Sequence, residues 1–222
     1  MKNKIAPSMM CADIFKLRET VDTFEKCGIE LLHIDVMDGV FVPNLQLGTD
    51  YTRQLKNGSR IPVDIHLMIE NPERHIASFA FGEGDYVSIH YETTKHAQKV
   101  LQAIKDRGAK ALLAINPATP VEVAIDVLDD IDGFMLMTVN PGFAGQKMVP
   151  HAIDKIARAR AFLDANGKKD AEIEVDGNVS IPNAIRMKEA GANIFVAGTS
   201  AVFIGDSIEN NIVNFRKEVF GE

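Results

Sequence analysis

Little in this chain suits several large classes of protein. Only two cysteines occur among its 222 residues, Cys11 and Cys27. Two thiols make neither a disulfide framework nor a thiolate zinc set, and both read as packed side chains rather than nucleophiles. No apolar run approaches the roughly 20 residues of a membrane-crossing helix, and no signal-peptide pattern opens the chain. The expectation is a cytoplasmic protein without a membrane partner. Basic residues number 24 against 31 acidic ones, for a net charge of −7, and no basic stripe is present. That excludes nucleic acid as a partner. An anionic substrate must then be met by local charge, by backbone N–H groups or by a metal. Linkers and low-complexity stretches are also lacking. No Gly-x-Gly-x-x-Gly follows the first apolar run, which removes one reason to expect an open doubly wound sheet.

What is there is a repeat of strand and helix. Apolar runs predict strands near 4–8, 30–36, 62–68, 85–90, 110–115, 133–138, 171–176 and 194–198. Helical spacing predicts helices near 13–27, 48–57, 72–81, 95–107, 120–128, 150–166, 181–190 and 206–219. Asp13 is placed to cap the first, with Ile14, Leu17, Val21 and Phe24 on its inner face. Asn71–Pro72, Thr119–Pro120 and Ser180–Ile181–Pro182 set a cap residue before an early proline, and Thr119 with Glu122 has capping-box spacing. Gly28, Gly84, Gly108 and Gly191 each precede a short link into an apolar strand, as helix-ending glycines do. Eight such units predict an α/β fold, a (β/α)8 TIM barrel, in which residues 1–222 form a single catalytic domain.

The chemistry gathers at strand ends. Side chains alternate along a strand, so His33, Asp35 and Met37 share one face of the second. Asp64, His66 and Met68 share one face of the third, and the seventh ends at Asp176. Catalytic groups of a barrel sit at the C-terminal ends of its strands. Each histidine or aspartate alone reads equally well as a satisfied core residue or a helix cap. Together, His33, Asp35, His66 and Asp176 make two imidazoles and two carboxylates, a donor set for Zn²⁺, Mn²⁺, Fe²⁺ or Co²⁺. Asp35 and Asp176 would stand across a pocket, as base and acid on opposite faces of a substrate carbon. That arrangement suits inversion at a C–H centre beside a carbonyl. Met37, Met68 and Met137 read as core filler singly, and as an apolar pocket lining when taken together. Gly142–Phe143–Ala144–Gly145 after the sixth strand, Gly177–Asn178 after the seventh and Gly198–Thr199 after the eighth favour a bound phosphate. The first of these loops is a candidate lid. Ser8 is placed to bond a substrate hydroxyl, and His90 and Glu92 read as structural polar groups near the mouth.

Seven stretches carry a resemblance over nearly the whole chain. They are Ala6–Pro7–Ser8, His33–Ile34–Asp35–Val36–Met37–Asp38–Gly39, Phe41–Val42–Pro43–Asn44, Asp64–Ile65–His66–Leu67–Met68, Asn116–Pro117–Ala118–Thr119–Pro120, Asn140–Pro141–Gly142–Phe143–Ala144–Gly145–Gln146 and Glu174–Val175–Asp176–Gly177. In these the chain resembles the ribulose-phosphate 3-epimerase family. The resemblance implies a ribulose-phosphate-binding barrel that epimerises ketose phosphates at C3. It implies one divalent metal ion per subunit on His33, Asp35, His66 and Asp176, with zinc favoured and Mn, Co, Fe or Mg as alternatives. Asp35 and Asp176 would move the protons, through an enediolate. Ser8 and His66 would touch the sugar, and Gly142 to Gly145, Gly177, Asn178, Gly198 and Thr199 would hold the phosphate. A sugar phosphate as small-molecule partner and a homo-oligomer are implied with them.

Met9–Met10–Cys11, Thr138, Ala144, Asn178 and Thr199 depart from the pentulose-phosphate pattern. Several of these resemble the D-allulose-6-phosphate 3-epimerase branch. Conversion of D-allulose 6-phosphate to D-fructose 6-phosphate is therefore slightly favoured over that of D-ribulose 5-phosphate to D-xylulose 5-phosphate. Related phosphate-binding barrels with an Asp-x-Lys-x-x-Asp signature are disfavoured, because Asp64–Ile65–His66–Leu67–Met68–Ile69 lacks the lysine and the second aspartate. A non-catalytic sugar-phosphate sensor would keep the phosphate loops but would not need both Asp35 and Asp176.

Overall fold

The computed structural model describes residues 1–205 and 207–222. Its strands are β1 (Lys4–Pro7), β2 (Leu32–Asp38), β3 (Leu45–Gln46), β4 (Val63–Met68), β5 (Tyr86–His90), β6 (Lys110–Ile115), β7 (Gly133–Met137), β8 (Glu172–Asp176) and β9 (Ile194–Ala197). All eight predicted strands are present, and β3 is additional. The sheet runs β1-β9-β8-β7-β6-β5-β4-β2-β3. Every pairing is parallel except β2 with β3, where Met37 faces Gln46 and Asp38 faces Leu45. A single parallel bridge, Ser8 to His33, joins the β1 edge to β2. The curled sheet with helices outside it is the expected α/β TIM-barrel fold.

Among the described residues six α-helices cover the outside: α1 (Leu17–Lys26), α2 (Thr49–Gly58), α3 (Ala97–Lys105), α4 (Ala152–Ala165), α5 (Ile181–Glu189) and α6 (Ile208–Phe215). Outward strand residues such as Ile34, Ile65, Val87, Leu113 and Val175 are fully buried against them, with Phe24, Ile104, Ile156 and Phe215 from the helices. Each such side chain contributes about 1.5–3 kcal/mol on burial. That layer is the main core.

Two predicted helices take another form. The 72–81 segment is a pair of 3-10 turns, Pro72–Arg74 and Ile76–Ser78, entered through Asn71 at φ 52°. The 120–128 segment is a 3-10 helix over Val121–Val127, in which four of seven residues are β-branched and resist α geometry. Thr119 makes no cap there; its hydroxyl donates to Glu92 instead. Ser180 likewise makes no side-chain cap, whereas Asp13 accepts from the Phe15 amide at 3.0 Å as expected. Ile14, expected on the inner face of the first helix, lies on a preceding 3-10 turn and is exposed.

One glycine is fixed by a close approach. A Cβ on Gly133 would lie 2.2 Å from the Glu172 carbonyl oxygen. Below it, Glu172 closes the N-terminal end of the barrel. It accepts from Lys4, from Tyr86 Oη at 2.7 Å and from Lys110 Nζ at 3.0 Å.

Candidate active site

Three strands supply the floor of the site. Their parallel register sets Asp35 beside His66 and His33 beside Asp64, while β8 brings Asp176 from the far side. His33, Asp35, His66 and Asp176 each offer a ligating atom, and these atoms all lie within 4.8 Å of one another. His33 Nε2 is 3.3 Å from Asp35 Oδ1. His66 Nδ1 is 3.5 Å from that oxygen and 3.6 Å from Asp176 Oδ2. Asp35 Oδ2 accepts from the Ser8 hydroxyl at 2.6 Å.

Each histidine is held from behind. His33 Nδ1 sits 2.6 Å from Asp64 Oδ2 and 3.3 Å from Glu174 Oε1. With Asp64 Oδ2 as the acceptor of this short contact, His33 carries its proton on Nδ1 and turns Nε2 toward Asp35. His66 Nε2 is 2.8 Å from His90 Nε2. Asp64, Glu174, His90 and Glu92 are thus parts of the site that the set of four did not include. Asp64 shares the period-two face of His66 and was legible on that ground. The contact of Glu174 with His33 crosses the barrel, and no local pattern signals it.

Burial raises a carboxyl pKa and lowers that of an imidazole, and nearby charges compete with both effects. For Asp35, burial is outweighed by the two imidazoles beside it, His33 first and then His66, so its carboxyl lies far below the usual range. For Asp176, burial and the Asp35 charge act together and push it up to about 7. One carboxylate is therefore held ionised while its neighbour readily keeps a proton, the split that base and acid roles need. Burial also holds His66 below its ordinary value. It works against His33 too, but Asp35 and Asp64 outweigh it and raise that group. Glu174 is raised well above the usual range by burial and then by Asp64.

The fit to a metal is testable on this geometry. His33 Nε2 and His66 Nδ1 are buried and without a protein hydrogen-bond partner. Buried polar atoms are seldom left so. Both point at the carboxylates that would share an ion with them, and two imidazoles with two carboxylates suit a borderline divalent cation. The residues present fit the group.

Above this floor lies a pocket whose lining includes Ser8, Asp35 and Asp176. His33 and His66 are fully buried and are not part of that lining, and they stand directly beneath Asp35 and Asp176, which do line it. Met37, Met68 and Met137 line the pocket together with Met10. The rest of the wall includes Gly142, Phe143, Ala144, Gly145, Gly177, Asn178, Gly198 and Thr199, with Cys11 among them. All the residues expected at a phosphate therefore meet in one place. No lysine or arginine lines that wall among the described residues, so an anion there is met by backbone N–H dipoles. The loops are tied together. Asn44 Nδ2 donates to the Gly142 carbonyl at 2.9 Å, and Asn178 Nδ2 to that of Gln146 at 2.8 Å. Gly177 sits at φ +117°, and a Cβ there would fall 2.6 Å from Val139 Cγ2.

A family model described as "Ribulose-phosphate 3 epimerase family" matches residues 4–203. The ribulose-phosphate 3-epimerase of Bacillus subtilis (strain 168) is 46% identical over 200 residues, covering 90% of this chain and 92% of its own. That of Escherichia coli (strain K12) is 39% identical over 216 residues, covering 97% and 95%. Among solved structures, a mutant tryptophan synthase alpha-subunit from Pyrococcus furiosus superposes with a TM-score of 0.68 at 14% identity, covering 100% of each chain. Orotidine 5'-phosphate decarboxylase from Pyrococcus horikoshii OT3 gives 0.67 at 14% identity, covering 98% of this chain and 100% of its own. Likeness at such identity concerns the fold alone. No helix among the described residues is long and apolar enough to cross a membrane.

Proposed function

Because this chain belongs to the ribulose-phosphate 3-epimerase family, we propose that its pocket inverts a ketose phosphate at C3, with D-ribulose 5-phosphate and D-xylulose 5-phosphate as the pair. The observation that carries this reading is the convergence of His33, Asp35, His66 and Asp176 within 4.8 Å below a pocket walled by glycine-rich loops. The names of the curated relatives support the pentulose phosphate.

Asp35, held ionised, takes the C3 proton from one face of the substrate, and the electrons pass into the adjoining carbonyl to give an enediolate. Asp176, carrying a proton, delivers it to the other face, and the roles exchange in the reverse direction. His33, Asp35, His66 and Asp176 would hold a divalent ion, zinc being favoured by the donor set, which would supply positive charge for the oxygens that become negative. Ser8 orients Asp35 by donating to Oδ2. The methionine wall keeps water from the carbanion, and the Gly142–Gly145, Gly177–Asn178 and Gly198–Thr199 backbones anchor the phosphate.

One set of residues favours a second substrate. Cys11, Ala144, Asn178 and Thr199, which depart from the pentulose pattern, all line this pocket, where the sixth carbon of D-allulose 6-phosphate would need space. The deciding measurement is kcat/KM for both ketose phosphates on one metal-loaded preparation. Higher efficiency with D-ribulose 5-phosphate upholds the first reading, and higher efficiency with D-allulose 6-phosphate replaces it with the second. Binding of both without turnover would overturn epimerisation and leave a sugar-phosphate sensor.

A further inference from the structure

Behind His66 runs a chain of buried polar groups that the proton transfers do not use. His90 is fully buried, its ring lying nearly parallel to that of His66 with centroids 5.0 Å apart. Its Nε2 is 2.8 Å from His66 Nε2, and its Nδ1 is 3.2 Å from Glu92 Oε2. The other oxygen of Glu92 accepts from the Asn116 amide at 2.8 Å and from the Thr119 hydroxyl. Phe41 covers the opposite side of His90, its ring centroid 4.8 Å away.

The donor directions along this chain are forced. Glu92 is ionised and only accepts, so His90 carries its proton on Nδ1. A neutral His90 then presents a lone pair at Nε2. His66 must donate its Nε2–H to that lone pair, which leaves His66 Nδ1 unprotonated. Nδ1 is the atom that stands 3.5 Å from Asp35 and 3.6 Å from Asp176 and lacks a protein partner.

We propose that Glu92 and His90 are positioning residues that lock His66 in its Nε2–H tautomer, keeping the Nδ1 lone pair aimed at the cation held by Asp35 and Asp176. The inference rests on the metal-site reading above and deepens it. It also assigns the two histidines opposite ligating atoms. His33 binds through Nε2 because Asp64 holds its Nδ1–H, and His66 binds through Nδ1 because His90 holds its Nε2–H. An imidazole backed by a carboxylate is the more basic donor, and His66, backed by a neutral ring, is the less basic of the two.

Two measurements test this. In metal-free protein labelled with ¹⁵N, two-bond ring correlations assign each histidine's tautomer. The expected result is His66 protonated on Nε2 in the native chain, with that population falling in Glu92→Ala. A native His66 protonated on Nδ1 overturns the proposal. Zinc affinity by chelator competition is the second readout. His90→Phe keeps the ring but accepts nothing, and should bind roughly 10–100-fold more weakly. His90→Gln places an amide oxygen near the lost acceptor and should recover affinity to within about threefold of native. Equal affinity in native protein and His90→Phe overturns the proposal. If His90→Phe does not fold, Glu92→Ala takes its place, with weaker zinc binding expected and unchanged binding overturning. A native protein that binds no zinc would refute the metal-site reading, while the tautomer of the metal-free chain still decides the relay.

Discussion

At the scale of single residues, Asp35 and Asp176 sit in opposed environments although they share one site. Asp35→Asn and Asp176→Asn each keep the side chain's shape while removing a proton acceptor or donor and one anionic ligand of the four. Each should lower kcat by about 10²–10⁴-fold with substrate binding retained, as steady-state kinetics and isothermal titration would register. Loss of binding in parallel with turnover would point to collapse of the pocket instead. Removing the metal should act at the same atoms. Chelation should abolish turnover and lower Tm, and zinc should restore both; saturation at 100 times Kd stabilises by about 2.7 kcal/mol. The four donors were legible in the sequence because strand alternation places His33 with Asp35, and because Asp176 ends its strand. Glu174 escaped that set since its link to His33 depends on which strands face one another, and a one-dimensional pattern carries no such register.

Among the elements, strands were far easier to read than helices. Each of the eight parallel strands is an apolar run bounded by glycine or a polar turn, and each lies between neighbours that require the same pleat. The stretches 72–81 and 120–128 have helical spacing, yet both form 3-10 turns. A left-handed Asn71 before the first and the β-branched content of the second win over periodicity, and expected caps such as Thr119 are engaged elsewhere. β3 is two residues long, too short for any period to show. Strand packing also makes a sharp forecast at Gly133, where a Cβ would meet the Glu172 backbone. Gly133→Ala should destabilise by about 1–3 kcal/mol or more through overpacking, read as a lower urea midpoint. An unchanged midpoint would mean that β7 and β8 separate more easily than their pairing implies.

For the whole molecule, acid is the condition that the charge arrangement makes costly. Burial alone would raise Glu92, but hydrogen bonds from His90, Thr119 and Asn116 outweigh it and hold it at about 2. Glu172 is likewise lowered, burial being outweighed by Lys4, Tyr86 and Lys110. An unfolded glutamate titrates near 4.3, so below that value the unfolded chain binds protons that the native chain refuses. Stability contributed by these groups is therefore complete above about pH 4.3 and is lost as pH falls toward the native values. The urea midpoint should drop between about pH 5 and pH 3, and Glu92→Gln should show a shallower decline over the same interval. A decline as steep as that of the native chain would show that other carboxylates govern acid unfolding.

The joint between β1 and β2 has a consequence of another kind. A ladder of two or more residue pairs holds every other neighbouring pair round the barrel, but here there is one bridge, Ser8 to His33, reinforced by the Ser8 hydroxyl on Asp35. The residues that fasten the cylinder are those that furnish its chemistry. A chain whose ends have not met therefore has no half-built centre able to work slowly. Appearance of turnover during refolding would clock the last stitch of the barrel, and a population that is partly closed would be silent rather than sluggish.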